Sequence, residues 1–301
     1  MAATAEKLDT LGSLDFGDGD LTRWLGDRTF EDWRAEYERE GFVRIPNVLS
    51  ASEVAAIKDA LQPYFDQNLR GRNDFEGVAT NRVYALLAKH RIFADLATHP
   101  LAMAFVNADL GPSALLSACL AINIHPGESV QPWHYDDSHI ELPLPRPSAG
   151  VSVFWAIDET TETNGATEVI PRSHLWTADD AYDALQDVDF TTRKDAAAPD
   201  TDLDPAAHPD AIKATLPAGS VMIAKGTLTH RGGANRSDGS RLVITPQYCA
   251  GWARTLENMS LAVPAHIAKT LPQRAQELLG YSIHAPFMGY VDGMHPKRLL
   301  V

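Results

Sequence analysis

The chain has 301 residues, 45% hydrophobic and 22% charged, a globular balance that excludes pervasive disorder, collagen and coiled coil. Its 26 basic and 40 acidic side chains leave a formal net charge of -14, which repels phosphate backbones and argues against broad nucleic-acid binding. Only Cys119 and Cys249 are available as thiols, which excludes a disulfide framework and a thiolate zinc site. Both sit in apolar runs and read as buried, reduced thiols of a cytoplasmic protein.

Residues 1–20, rich in Gly, Asp and Ala, read as a loose tail without the basic and apolar regions of a signal peptide. Nothing approaches the ~20 apolar residues of a membrane span. Residues 21–301 read as one domain, with helical support over about 28–113. Thr29–Glu40 is expected to be an acidic helix stopped by Gly41, and Phe42–Ile45 a short strand. Ser50 and Glu53 fit a capping box, in which each side chain satisfies the other's orphan amide. The helix it opens carries Val54, Ile57, Leu61 and Phe65 on one face. A second helix is expected from about Val83 to Thr98 and a third after Pro100.

Near residue 114 the pattern changes. Short apolar runs at 120–124, 150–157, 166–170, 219–224 and 242–249 are bounded by Gly, Pro, Asn or Asp, as in an all-β sandwich or barrel. This places a β core at about 114–255. Residues 178–210, with Pro199, Pro205 and Pro209, read as a long excursion between strands. That excursion and the segment 66–80 are candidate lids. Helical character returns over 262–301, with Ile267, Leu271, Ala275, Leu278 and Leu279 periodic.

Candidate chemistry sits at Gln131-Pro-Trp-His134-Tyr-Asp136. On extended backbone, residues i and i+2 share a face, so His134 and Asp136 present an imidazole and a carboxylate to one point. With one distant histidine they make the facial set of non-haem iron(II). The tripeptide alone is weak, because His208-Pro-Asp210 repeats it, but Pro209 cannot join a sheet ladder. His230 is the leading third ligand. Asn235-Arg-Ser-Asp-Gly239 then forms a turn, and a hairpin is expected to return Arg241 beside the strand before it. A guanidinium there suits bidentate pairing with a carboxylate such as the far end of 2-oxoglutarate.

These segments, taken in order, resemble the phytanoyl-CoA dioxygenase family of iron(II)/2-oxoglutarate oxygenases. The resemblance runs from about Gly41 to Pro296. It includes Gly41-Phe-Val-Arg-Ile-Pro, the stretch Gly77 to Leu87, Pro126 to Asp136, Asn164 to Trp176, His230 with Arg241 eleven residues later, and Gly289-Tyr-Val-Asp-Gly293. It implies a mainly β fold, a double-stranded β-helix (jelly roll, cupin-like) with N- and C-terminal helices. It implies His134, Asp136 and His230 as iron(II) ligands and Arg241 on the distal carboxylate of 2-oxoglutarate. Gln131, Thr167 and Arg82 would add polar contacts to the co-substrate. Trp155, Asn123 and Tyr84 would line the substrate pocket, and His174 would be structural or support the ligands. Related halogenases lack the carboxylate that Asp136 supplies. The expected reaction is therefore hydroxylation, or another oxidation, of a small, largely apolar molecule by dioxygen, with 2-oxoglutarate converted to succinate and CO2.

Two other readings fit the same residues. One is a cupin-type isomerase or hydrolase that does not use 2-oxoglutarate. The other is a non-catalytic jelly-roll binding module. Neither the substrate nor the oligomeric state, monomer or homo-oligomer, is legible.

Overall fold

In the computed structural model, residues 12–17, 19–67, 70–73, 75–185 and 207–300 are described. Most of the expected tail and residues 186–206 of the expected excursion lie outside them. The N-terminal helices are set by their caps. Thr29 and Asp32 form a capping box that opens α2 (Phe30–Glu40), after a single turn of α1 (Thr22–Leu25). The Ser50–Glu53 box opens α3 (Ala51–Phe65), whose Val54, Ile57 and Leu61 are buried. Pro100 starts α5 (Pro100–Leu110), where its missing N–H is one of the helix's orphans anyway.

Between them the expected helix from Val83 is replaced. Thr80–Val83 is a strand, β2, followed by a 3-10 turn at Leu86–Ala88 and a short α4 (Arg91–Ala97). β2 is held by pairing with residues 121–124, a contact remote in sequence that no local periodicity records. The expected C-terminal helix is also broken. It becomes α7 (Met259–Ala262), α8 (Ala265–Ala268) and α9 (Gln273–Leu278), then two bridged turns at His284–Met288 and Val291–Met294, and a 3-10 turn at Pro296–Leu300. Among the described residues, no helix is long and apolar enough to cross a membrane.

The remaining strands are β1 (Phe42–Ile45), β3 (Leu115–Ile124), β4 (Gly150–Ala156), β5 (Thr167–Val169), β6 (Ile212–Lys213), β7 (Val221–Lys225), β8 (His230–Gly232) and β9 (Arg241–Cys249). They form two antiparallel sheets, ordered β1-β7-β4-β9-β3-β2 and β6-β5-β8. This is the jelly-roll arrangement. α6 (Ala178–Ala184) opens the excursion after β5.

The two faces of the large sheet are read from its alternation. Val151, Val153 and Trp155 on β4, with Leu242 and Ile244 on β9, join the helices in the larger apolar core. Phe154 and Ala156 on the other face meet Val169, Ala214, Leu216 and Leu228 from the small-sheet side in a second core. Each fully buried Val, Leu or Ile among them contributes roughly 1.5–3 kcal/mol. This second layer is the gap between the sheets, and the candidate site lies in it.

The expected β8–β9 hairpin does not form. β8 pairs with β5, whereas β9 lies between β3 and β4. Asn235 ties the turn down by donating to the carbonyls of Ile124 and Gly239. The turn therefore carries the chain from one sheet to the other, and Arg241 faces the site across the gap rather than from beside β8.

Candidate metal centre

His134 and His230 form a cross-strand pair. Each backbone N–H donates to the other's carbonyl, at 3.0 and 2.8 Å. Residues paired in this way project from one face. His230 lies opposite Val169, which points into the gap, so both imidazoles point there too. Asp136, two residues beyond His134, completes the group. One donor atom from each of the three side chains can be chosen so that all lie within 4.8 Å of one another. Nε2 of His134 is 3.9 Å from Asp136 Oδ1, and Nε2 of His230 is 3.7 Å from Oδ2. The three side chains expose only 14%, 12% and 6% of their surface, so the cluster is enclosed.

The ring orientations are defined by the backbone. Nδ1 of His134 is 2.9 Å from the Pro132 carbonyl, and Nδ1 of His230 is 2.9 Å from the Leu228 carbonyl. A carbonyl can only accept, so each Nδ1 carries a proton, and Nε2 is the ring atom available to a metal. Burial, with His230 alongside, holds His134 down to about 4, so its ring is neutral at ordinary pH. Burial pushes the Asp136 carboxyl up, but His230, His134, Ser152 and Gln247 outweigh it and leave the group below its ordinary value. Ser152 donates its hydroxyl proton to Asp136 Oδ2. The Phe75 ring packs on His134 at 4.8 Å and Phe154 on His230 at 5.5 Å, edge to face.

Arg241 is 1% exposed and makes no hydrogen bond with any described residue; its Nε is buried without a partner. Burial lowers its guanidinium to about 10, against the attraction of Asp158. The head reaches across the gap to the small sheet, where NH2 lies 3.5 Å from the position a Cβ on Gly165 would take. Thr167, two residues on, lies opposite Gly232. Gln131 is beside the same glycine. Its Oε1 accepts from the Gly232 N–H at 2.8 Å, and a Cβ at that residue would fall 2.7 Å from it.

Arg82 and Gln131 have partners that sequence reading did not suggest. Arg82 donates to the carbonyls of Glu76 and Phe75 at 2.6 and 3.0 Å, and Gln131 Nε2 donates to the Phe75 carbonyl. Both hold the 75–76 loop against the site, and both line a small cavity of about 20 Å³ with Ile122 and Ile124. Tyr84 is at the rim, 39% exposed, its hydroxyl near Glu76. A larger cleft of about 450 Å³ beside α9 holds none of these residues.

Two expected pocket residues point away. Trp155 faces the helices and packs on His99 at 4.9 Å. Asn123 pairs with Leu242, which faces the helices as well. Ser152 and Phe154 on β4, and Thr245 and Gln247 on β9 with Arg241, face the site instead. Polar residues interrupting apolar strands, Ser152 in one and Thr245 and Gln247 in the other, are the sequence signal for them. His208 lies outside the cluster, accepting from the Asp210 N–H. His174 bonds the Glu38 carbonyl and fills the space a Cβ on Gly41 would need, a structural place.

Comparison with known proteins agrees with this architecture. Dioxygenase af480 of Aspergillus fumigatus is 29% identical over 273 residues, covering 87% of this chain and 79% of the relative. Dioxygenase FUM3 of Gibberella moniliformis is 25% identical over 282 residues, covering 86% and 84%. Among solved structures, the non-heme alpha-ketoglutarate-dependent carbocyclase SnoK from nogalamycin biosynthesis shares the fold. Its TM-score is 0.55 and its identity 22%, covering 74% of this chain and 85% of that one. So does the epimerase SnoN, solved with Fe3+, alpha-ketoglutarate and nogalamycin RO, at TM-score 0.54 and 21% identity, covering 73% and 83%. The family model for phytanoyl-CoA dioxygenase (PhyH) matches residues 37–243, more than half of the sequence. The chain belongs to the phytanoyl-CoA dioxygenase family.

Proposed function

We propose that this protein is an iron(II)- and 2-oxoglutarate-dependent dioxygenase. In this reading it hydroxylates, or otherwise oxidises, an unactivated C–H bond of a small, largely apolar molecule. In hydroxylation one atom of dioxygen goes to the product and the other to succinate, formed from 2-oxoglutarate with loss of CO2. What carries the reading is the pair of histidine tautomers. Both Nδ1 atoms are spent on backbone carbonyls, so two imidazole Nε2 atoms and one carboxylate converge in an enclosed space. That donor set suits a divalent first-row metal and matches the two-histidine, one-carboxylate pattern of non-haem iron.

Iron(II) bound by His134, Asp136 and His230 supplies the redox chemistry with dioxygen and the 2-oxo acid. The chain's own residues bind, orient and exclude water. Ser152 holds the Asp136 carboxylate in position, and the Phe75 and Phe154 rings shield the histidines from solvent. Arg241 offers a buried, unsatisfied guanidinium to the distal carboxylate of 2-oxoglutarate. Thr167, Gln131 and Arg82 add polar contacts around it, and Tyr84 meets the substrate at the rim. Two solved proteins of this fold are named a carbocyclase and an epimerase. Oxidative ring closure, in which the substrate loses two hydrogens and the second oxygen atom leaves as water, is therefore an alternative outcome, decided by where the substrate's C–H bond sits.

The same reading treats residues 21–301 as one catalytic unit. It places the protein in a reducing, cytoplasmic setting, which suits the buried free thiols of Cys119 and Cys249. The test is anaerobic iron(II) titration together with succinate release from 2-oxoglutarate. His134→Ala, Asp136→Ala and His230→Ala should each lose tight iron binding and turnover. Wild-type affinity in any one of them removes that residue from the ligand set.

A further inference from the structure

Two buried polar atoms on the site face of β9 have no partner, Arg241 Nε and Thr245 Oγ1. The first is accounted for above. The second is not. Thr245 is 2% exposed and pairs with Leu120 in a register that runs unbroken from Ala118 to Ile124. It therefore shares a face with Arg241 and Val243 on one side and Gln247 on the other. Gln247 lies opposite Ser152, the residue bonded to Asp136. Thr245 thus stands between the metal-ligand cluster and the guanidinium. Of its neighbours on that face, Leu120 and Val243 carry no side-chain hydrogen-bonding group and Gln247 turns its amide to Asp136, and the other orphan, Trp155 Nε1, is on the far side of the sheet. Buried hydroxyls in folded proteins are paired, and one left without a partner is destabilising unless a ligand or water completes it.

We propose that Thr245 is a co-substrate-binding residue whose hydroxyl donates a hydrogen bond to a carboxylate oxygen of the 2-oxo acid held between the metal ligands and Arg241. This rests on the reading given under Proposed function.

The test compares wild type, Thr245→Val and Thr245→Ser, each loaded anaerobically with manganese(II) and titrated with 2-oxoglutarate by calorimetry. Thermal melts of the metal-free proteins accompany the titrations. The valine variant should bind 2-oxoglutarate at least about tenfold more weakly, the loss expected for one hydrogen bond to a charged group. The serine variant should stay within about twofold of wild type. The metal-free valine variant should melt at the same temperature as wild type or higher, because an unsatisfied hydroxyl has been replaced by a methyl of the same shape. Equal affinity of valine variant and wild type overturns the proposal while leaving the dioxygenase reading intact. A serine variant as weak as the valine one overturns the hydroxyl as the cause. A lower melting temperature for metal-free Thr245→Val reveals an internal partner and also overturns it. Wild-type protein that takes up metal but not 2-oxoglutarate overturns both readings.

Discussion

Replacing Arg241 by methionine should move two observables in opposite directions. Methionine keeps much of the side chain's length and apolar contact but removes the charge. In the metal-free protein that charge is a burden. Arg241 is 1% exposed, has no ion pair with a described residue, and its guanidinium is lowered from its ordinary value to about 10 by burial. A shift of that size corresponds to roughly 3 kcal/mol disfavouring the charged form. Arg241→Met should therefore leave the metal-free protein at least as stable as wild type in a urea or thermal melt. Affinity for 2-oxoglutarate should collapse, because truncating one partner of a buried charge pair costs about 2–5 kcal/mol, roughly a 30- to several-thousand-fold loss. Calorimetric titration of the manganese(II)-loaded protein reads the second effect. A variant that melts well below wild type while binding 2-oxoglutarate normally would show that the guanidinium serves the fold and not the co-substrate.

Two further outcomes follow from contacts around the site and the core. Ser152→Ala removes the hydroxyl that steadies Asp136 and should weaken iron(II) or cobalt(II) affinity about 10- to 100-fold, with Ser152→Thr restoring much of it; unaltered metal affinity in the alanine variant would refute the positioning role. His99 caps α5 by accepting from the Leu101 N–H, packs between Phe16, Trp24 and Trp155, and is lowered to about 3 by burial, with Arg23 adding to the effect. Below its ordinary value near 6.5 the unfolded chain takes up a proton that the folded state rejects, so stability is full above that pH and is lost progressively down to about 3. Between pH 7 and 5 the loss is roughly 2 kcal/mol. His99→Asn keeps a capping acceptor without the titration and should flatten that part of the curve in denaturant melts; parallel curves for the two proteins would refute the assignment.

Several features were legible in the residues alone because they depend on near neighbours. The Ser50–Glu53 box needs only a spacing of three, and the burial of Val54, Ile57 and Leu61 only a helical period. The strands at 150–156 and 241–249 are apolar runs bounded by turn formers. His134 and Asp136 are two residues apart on extended backbone, and that separation already points them to one place. Here the family resemblance and the residue pattern led to the same ligands.

Other features depended on contacts between remote segments. The edge strand Thr80–Val83 exists through pairing with β3. The aim of both histidine rings comes from carbonyls that accept from their Nδ1 atoms, next to the β-bridge between His134 and His230. Sheet parity placed Ser152 and Thr245 towards the His134–Asp136–His230 cluster and Trp155 towards the helices, although Ser152 and Trp155 are three residues apart on one strand. An alternating pattern states that a strand has two faces. Which face meets the helices and which meets the second sheet is decided by the layers packed against it, and an apolar tryptophan satisfies either layer equally well until those layers are in place.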